Sequence, residues 1–268
     1  MNMAKAVTKF PWRTALVTGA SAGIGKAMAH QLAASGVDLI VVARDRERLN
    51  QEAALLKGRH NVRVDVLAAD LLDPAQLLLV EERVRSSTNP VDLLVNNAAF
   101  GTNGDFYNLP IDGEQREITV NVIAPVRLAH AALGQMLPRK LGTILNISSM
   151  SALLPGPRMA TYAATKSYIT SFTESLHVEL RGTGVSVTAS HPGFTRTEFQ
   201  ERAGMQGKVD EVPNSMWMSA EDVAAESLRA AARGSVFYVT GRSNSFFATV
   251  LGILPRGMRR SLSKQMRQ

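Results

Sequence analysis

The chain has 268 residues, 45% of them hydrophobic, enough to bury a large core. It carries no cysteine, which excludes disulfides, thiol catalysis and cysteine-based zinc sites and suits a reducing cytoplasm. The net charge of +7 is concentrated at one end, with Arg256, Arg259, Arg260, Lys264 and Arg267 in the last fourteen residues and +2 left for the rest, where no aromatic-interleaved basic patch points to nucleic acid.

The opening MNMAKAVTKFPWR lacks the apolar run of a secretory signal. Residues 14–19, TALVTG, read as a short strand closed by glycine. GIGKAMAHQLAASG (23–36) has helical apolar spacing and stops at Gly36. DLIVVA (38–43) is the unbroken apolar run of a strand buried on both faces.

The alternation continues with helix 46–57, strand 62–69, helix 74–87, strand 91–98 and a long helical region over 113–138. Strand 142–148, helix 158–181, strand 184–191, helix 219–234 and strand 236–241 follow. Ser219 with Asp222 reads as an acidic variant of a capping box. No linker or repeat interrupts this order, so residues 1–242 form one domain, followed by an apolar and basic extension over 243–268. The pattern predicts an α/β, doubly wound Rossmann fold with a parallel sheet of about seven strands and helices on both faces. Ligands then sit beyond the carboxyl ends of the strands.

The first strand ends in TGASAGIG (18–25). Gly19 permits a tight turn, Gly23 a close backbone approach to a pyrophosphate, and Gly25 close packing of helix on strand. The next helix then offers free N–H groups and the positive end of its dipole. The same stretch fits G-x-S-x-G, with Ser21 as a hydrolase nucleophile. That elbow belongs after several strands, however, and His191 is the only histidine at a loop end near it.

The second strand finishes VVARD. Ala43 stands where an acid would bind a free ribose 2′-hydroxyl, and Arg44 follows, which favours a 2′-phosphate and so NADP over NAD. The alternative is that Arg44 and Asp45 are only a solvated helix entry. Ala22 replaces the second basic residue often found before the middle glycine.

Tyr162 and Lys166, in TYAATKSY, are one helical turn apart and share a face. With TGASAGIG, AADL, NNAA, Asn121, Ser149, YAATK and HPGFTRT in this order, the chain resembles the short-chain dehydrogenase/reductase family along nearly its whole length. The resemblance implies an NADP(H)-dependent oxidoreductase that interconverts a carbonyl and a secondary alcohol without a metal. It implies cofactor contacts from Gly19, Ser21, Ala22, Gly23, Ile24, Gly25 and Arg44. Asp70 and Leu71 should border the adenine, Asn97 the adenosine side, and Thr195 and Thr197 the carboxamide and a phosphate. The implied catalytic set is Asn121, Ser149, Tyr162 and Lys166.

In that set Tyr162 is the general acid/base and Ser149 bonds the substrate oxygen. Lys166 favours the phenolate and, with Tyr162, contacts the nicotinamide ribose. The family's Asn holds a water through its carbonyl. Pro125, lacking an N–H, would leave the carbonyl of Asn121 free for one and bend the helix. Ala99 departs from the family's usual glycine. A non-catalytic NADP-sensing protein is the reading from another class; the presence of all four catalytic residues speaks for the enzyme.

The segment 198–218 should select the small-molecule substrate. Met205, Met216, Trp217 and Met218 either line an apolar pocket or pack a lid. A homodimer or homotetramer is expected. The tail either packs on a sister subunit or makes peripheral contact with an anionic membrane. The five histidines show no metal-ligand spacing.

Overall fold

The computed structural model describes residues 9–205 and 212–265. The N-terminal octapeptide, residues 206–211 of the substrate-selecting segment and Arg267 of the tail lie outside the described residues.

Strands β1 (Thr14–Thr18), β2 (Asp38–Ala43) and β3 (Val64–Ala68) alternate with helices α1 (Gly23–Ala34), α2 (Arg46–His60) and α3 (Pro74–Arg85). Next come β4 (Leu93–Asn96), α4 (Ile111–Ile118), α5 (Ala124–Arg139), β5 (Gly142–Ile147), α6 (Ala160–Glu179) and β6 (Val185–His191). A short ladder, β7 (Thr195–Arg196) with β8 (Met218–Ser219), flanks the one-turn helix α7 (Phe199–Arg202). The chain closes with α8 (Ala220–Ala232), β9 (Phe237–Val239), α9 (Arg242–Ile253) and α10 (Arg256–Gln265). The main sheet has seven parallel strands in the order β3-β2-β1-β4-β5-β6-β9.

The apolar strand runs follow from burial on both sides. Ala15, Val17, Leu39, Val41, Leu93, Val95 and Leu145 face a core shared with α1, α2 and α8. The alternate residues Leu16, Ile40, Val42, Leu94 and Ile144 face a second core under α3, α5 and α6. A period-two strand with both parities buried must be apolar throughout.

Helix starts follow local chemistry. Asp45 caps α2 through Arg48 N at 3.0 Å and Asp73 caps α3 through Ala75 N at 2.8 Å. Ser219 Oγ accepts from Asp222 N at 3.0 Å and donates to Asp222 Oδ2 at 2.7 Å, which closes the expected capping variant.

The helical region expected over 113–138 is two helices joined by a π-type turn, Thr119–Ile123, in which Ala124 N reaches back to Thr119 O. Pro125 follows directly. A proline cannot donate to the carbonyl four residues back, and the chain accommodates it by widening the turn before it. The β7–β8 ladder had no signal in the sequence, because two-residue strands carry no period.

Candidate active site

The carboxyl ends of β1, β4, β5 and β6 bring together four stretches far apart in sequence. At the end of β1, Gly19 adopts φ +67° and Gly23 φ +53°. A side chain on Gly25 would collide with the carbonyl oxygen of Gly19 and the amide of Asn97, so α1 runs hard against the strand end. A side chain on Gly23 would meet Thr197 Cγ2 at 3.1 Å, which puts the loop after β6 directly beside the glycine turn. The α1 N-terminus, behind Ala22, Gly23 and Ile24, has no side-chain cap and no acid in its first turn. Those main-chain N–H groups sit at the positive end of the helix dipole without a capping side chain.

Asn97 fastens this arrangement rather than pointing away from it. Its Nδ2 donates to Thr18 O at 2.9 Å, and its N–H donates to Thr18 Oγ1 at 2.9 Å. Arg44 follows β2, is exposed, and makes no ion pair among the described residues. Asp45, its neighbour, is the cap of α2. Asp70 lies past β3, with Oδ1 accepting from Leu72 N at 3.0 Å, and the Leu71 side chain is buried in the second core. Thr195 is buried, its hydroxyl donating to Gly193 O at 3.0 Å. Ser21 is partly exposed on the first loop.

The second half of the site is α6 against the ends of β4 and β5. Lys166 is buried and Nζ donates to Ile147 O at 2.8 Å, leaving two further protons on the ammonium. Burial pulls its pKa down to about 8. Tyr162 is buried one turn away, with Lys166 Nζ 5.7 Å from its ring centroid. Burial pushes the phenol up to about 12, against a hydrogen bond with the Ser149 side chain that acts the other way. In the chain by itself, loss of water around the phenol outweighs its polar contacts.

Asn121 is buried on the π-type turn. Its side chain clasps Phe100, donating Nδ2–H to Phe100 O at 2.9 Å and accepting Phe100 N–H at 3.2 Å, and reaches Thr165 Oγ1 of α6 at 3.2 Å. It thereby ties the loop after β4 to the helix that carries Tyr162.

Residues without a sequence signal complete the wall. Phe199 of α7 lies 5.3 Å from the Tyr162 ring, centroid to centroid. A side chain on Gly101 would meet Tyr162, Phe199 and Met159 at 3.1–3.3 Å. Among the described residues of the segment 198–218, Phe199 is in ring contact with the tyrosine. Met218 instead lies under Gly241 and Asn244, and Trp217 packs on Phe194 at 5.5 Å. Arg48 forms a two-pronged pair with Glu198, at 2.6 and 3.1 Å, that joins α2 to the loop after β7. That pair holds the Glu198 carboxyl down at about 2.

His191 is fully buried, 2.9 Å from Thr170 Oγ1 and 3.2 Å from Tyr238 O. Burial lowers its pKa to about 4, so it is a neutral structural link between β6, α6 and β9. It is not available to Ser21, and the hydrolase alternative has no base. Among the described residues no histidine, aspartate or glutamate cluster is arranged to hold a metal.

A family model described as short chain dehydrogenase matches residues 13–207. The chain belongs to that family. This short-chain dehydrogenase is thus an oxidoreductase by membership. A short chain dehydrogenase of Pseudocercospora fijiensis is 35% identical over 189 residues, 70% of this chain and 61% of that protein, so the match spans about three fifths of the relative's length. A short-chain dehydrogenase from Sphingobium yanoikuyae, solved in complex with NADPH, superposes with TM-score 0.82 at 34% identity, covering 95% of this chain and 96% of that one. A Burkholderia phymatum short chain dehydrogenase/reductase in complex with NAD has TM-score 0.81 at 23% identity over 90% and 93% of the two chains, a likeness of fold alone.

Proposed function

We propose that this protein is an NADP(H)-dependent reductase interconverting a carbonyl and a secondary alcohol, with Tyr162 as the general acid/base. The observation that carries the reading is the buried Tyr162, one turn from the buried ammonium of Lys166, which lies 5.7 Å from its ring centroid, with the Ser149 side chain acting on its phenol. A phenol held protonated by burial is suited to delivering a proton to a carbonyl oxygen. Ser149 offers a second hydrogen bond to that oxygen. Lys166 has protons to spare for ribose hydroxyls and, at about 8, still carries its charge at neutral pH. Phe199, Met159 and Gly101 give the substrate side an apolar wall, which fits an apolar small-molecule ketone or aldehyde.

The residues fit a dinucleotide. Gly19, Gly23 and Gly25 let the turn, α1 and the loop after β6 close on one another without side chains between them, and the uncapped start of α1, with Ser21, Ala22 and Ile24 around it, provides N–H donors. Bound, the nicotinamide would supply the hydride. Arg44, exposed and without an ion pair among the described residues, supports a 2′-phosphate, and the NADPH held by the Sphingobium relative agrees with that preference. Asp70 and Leu71 would border the adenine, while Asn97 would act chiefly by fixing the glycine turn. Thr195 and Thr197 would meet the carboxamide and phosphate side, and Asn121 would hold the loop after β4 on α6.

The test is NADPH consumption across a panel of ketones and aldehydes by wild type and Tyr162→Phe. Turnover should fall by about 10²–10⁴-fold while NADPH binding persists. Undiminished turnover in the variant would remove Tyr162 from the mechanism.

A further inference from the structure

Two buried carboxyl groups beside the proposed acid have no role in that reading. Glu114 and Glu117, three residues apart on α4, are 3% and 0% exposed. Thr102 Oγ1 stands between them, 2.6 Å from Glu114 Oε1 and 2.8 Å from Glu117 Oε2. The Thr102 N–H also donates to Glu117 Oε2 at 2.8 Å, and the Thr161 hydroxyl donates to Glu114 Oε2. A threonine hydroxyl has one proton to give. With both carboxylates ionised, one of the two short contacts at Thr102 Oγ1 would press lone pairs together without a proton. The geometry therefore requires one more proton, on a carboxyl group.

Its place follows from the remaining atoms. Glu117 Oε1 is buried with no hydrogen-bond partner, which a neutral carboxyl tolerates far better than a carboxylate oxygen. Burial raises the pKa of Glu117, as does the charge of Glu114 on its own helix; the two bonds from Thr102 and the charge of Lys166 on α6 pull the other way. Glu117–H, Thr102 Oγ–H and the Glu114 carboxylate then form a chain in which every donor has one acceptor. Glu117 acts electrostatically on both members of the proposed pair: its ionised form raises Tyr162 and Lys166 alike.

We propose that Glu117 is a positioning residue that holds a proton at neutral pH, so that no carboxylate charge opposes Tyr162 when it gives up its own. The role it assists rests on the reductase reading; its protonation does not. At higher pH Glu117 ionises, works against the phenolate and supports the Lys166 ammonium, which delays the alcohol-oxidising direction.

Infrared difference spectroscopy of the full chain, following the carboxylic-acid C=O band across a pH titration, tests the protonation without turnover. Wild type should show the band at pH 7, Glu117→Gln should lack it, and Glu114→Gln should lose it at lower pH than wild type, because the second carboxylate at Thr102 and its charge are gone. No such band in wild type, or its survival in Glu117→Gln, overturns the proposal. If Glu117→Gln does not fold, the wild-type band and its fate in Glu114→Gln decide. For the coupling, the alkaline rise of alcohol oxidation should move to lower pH by about one unit in Glu117→Gln. An unmoved profile overturns the coupling even if the band is lost. A protein inactive on every carbonyl refutes the reductase reading and leaves the infrared result standing.

Discussion

The two halves of the site are built from different material. Around β1 and α1 the working surface is main chain: three glycines without room for side chains and a helix start left uncapped. Asp45, Asp73 and Ser219 cap the comparable starts of α2, α3 and α8. Around α4 and α6 the working groups are side chains, and burial sets their protonation: Tyr162 pushed up to about 12, Lys166 down to about 8. A main-chain site is read by shape and is indifferent to pH. A side-chain site in low dielectric is read by charge, and each buried group there alters its neighbours.

Three experiments probe that contrast, the largest effect first. Gly25→Ala attacks the main-chain half alone, because the new methyl must displace the Gly19 carbonyl or the Asn97 amide. Overpacking of this kind costs about 1–3 kcal/mol and occasionally more. A lowered melting temperature and loss of measurable NADPH binding are expected, with the Tyr162 titration unchanged. Normal cofactor affinity in this variant would break the division between the halves.

Arg44→Ala is narrower, since it removes one side chain from the cofactor half. Charge-assisted bonds are worth about 1.5–3 kcal/mol, or roughly 10–150-fold in affinity. NADPH titrations should show that loss while NADH is little affected. An equal loss for both cofactors would assign Arg44 to the helix entry only.

Ending the chain after Leu254 removes α10 but keeps Leu251, which is buried, and Asn244, which lies against Gly193. Effects on either half of the site should stay within about 0.5 kcal/mol. The tail exposes Phe246 at 74% and Ile253 at 80%, and α10, which follows, carries Arg259 and Arg260. Pull-down on anionic vesicles should therefore fall on truncation, and fall for the full chain at high salt. A full chain that ignores vesicles, with a truncated form of altered oligomeric state, would place a sister subunit on this face instead.

The fold was legible because a parallel sheet covered on both faces leaves an unbroken apolar run for each central strand, and because caps such as Ser219–Asp222 act within four residues. The glycine turn and the Tyr162–Lys166 spacing were legible for the same local reason: one loop and one helical turn contain them. The π-type turn was half legible, since Pro125 announces a disturbance but not its form.

Only tertiary structure decided what surrounds these groups. Phe199 meets Tyr162 across 37 positions of sequence, and Arg48 pairs with Glu198 across 150. Thr102 comes between Glu114 and Glu117 only once the loop after β4 folds onto α4. The direction of the Tyr162 shift was decided there too. The sequence shows the lysine one turn away, whereas the burial that raises the phenol is a property of the packed whole. Residue types and spacings fix which groups a chain can offer; the water removed from around them, and the partners brought in by long-range packing, fix their charge.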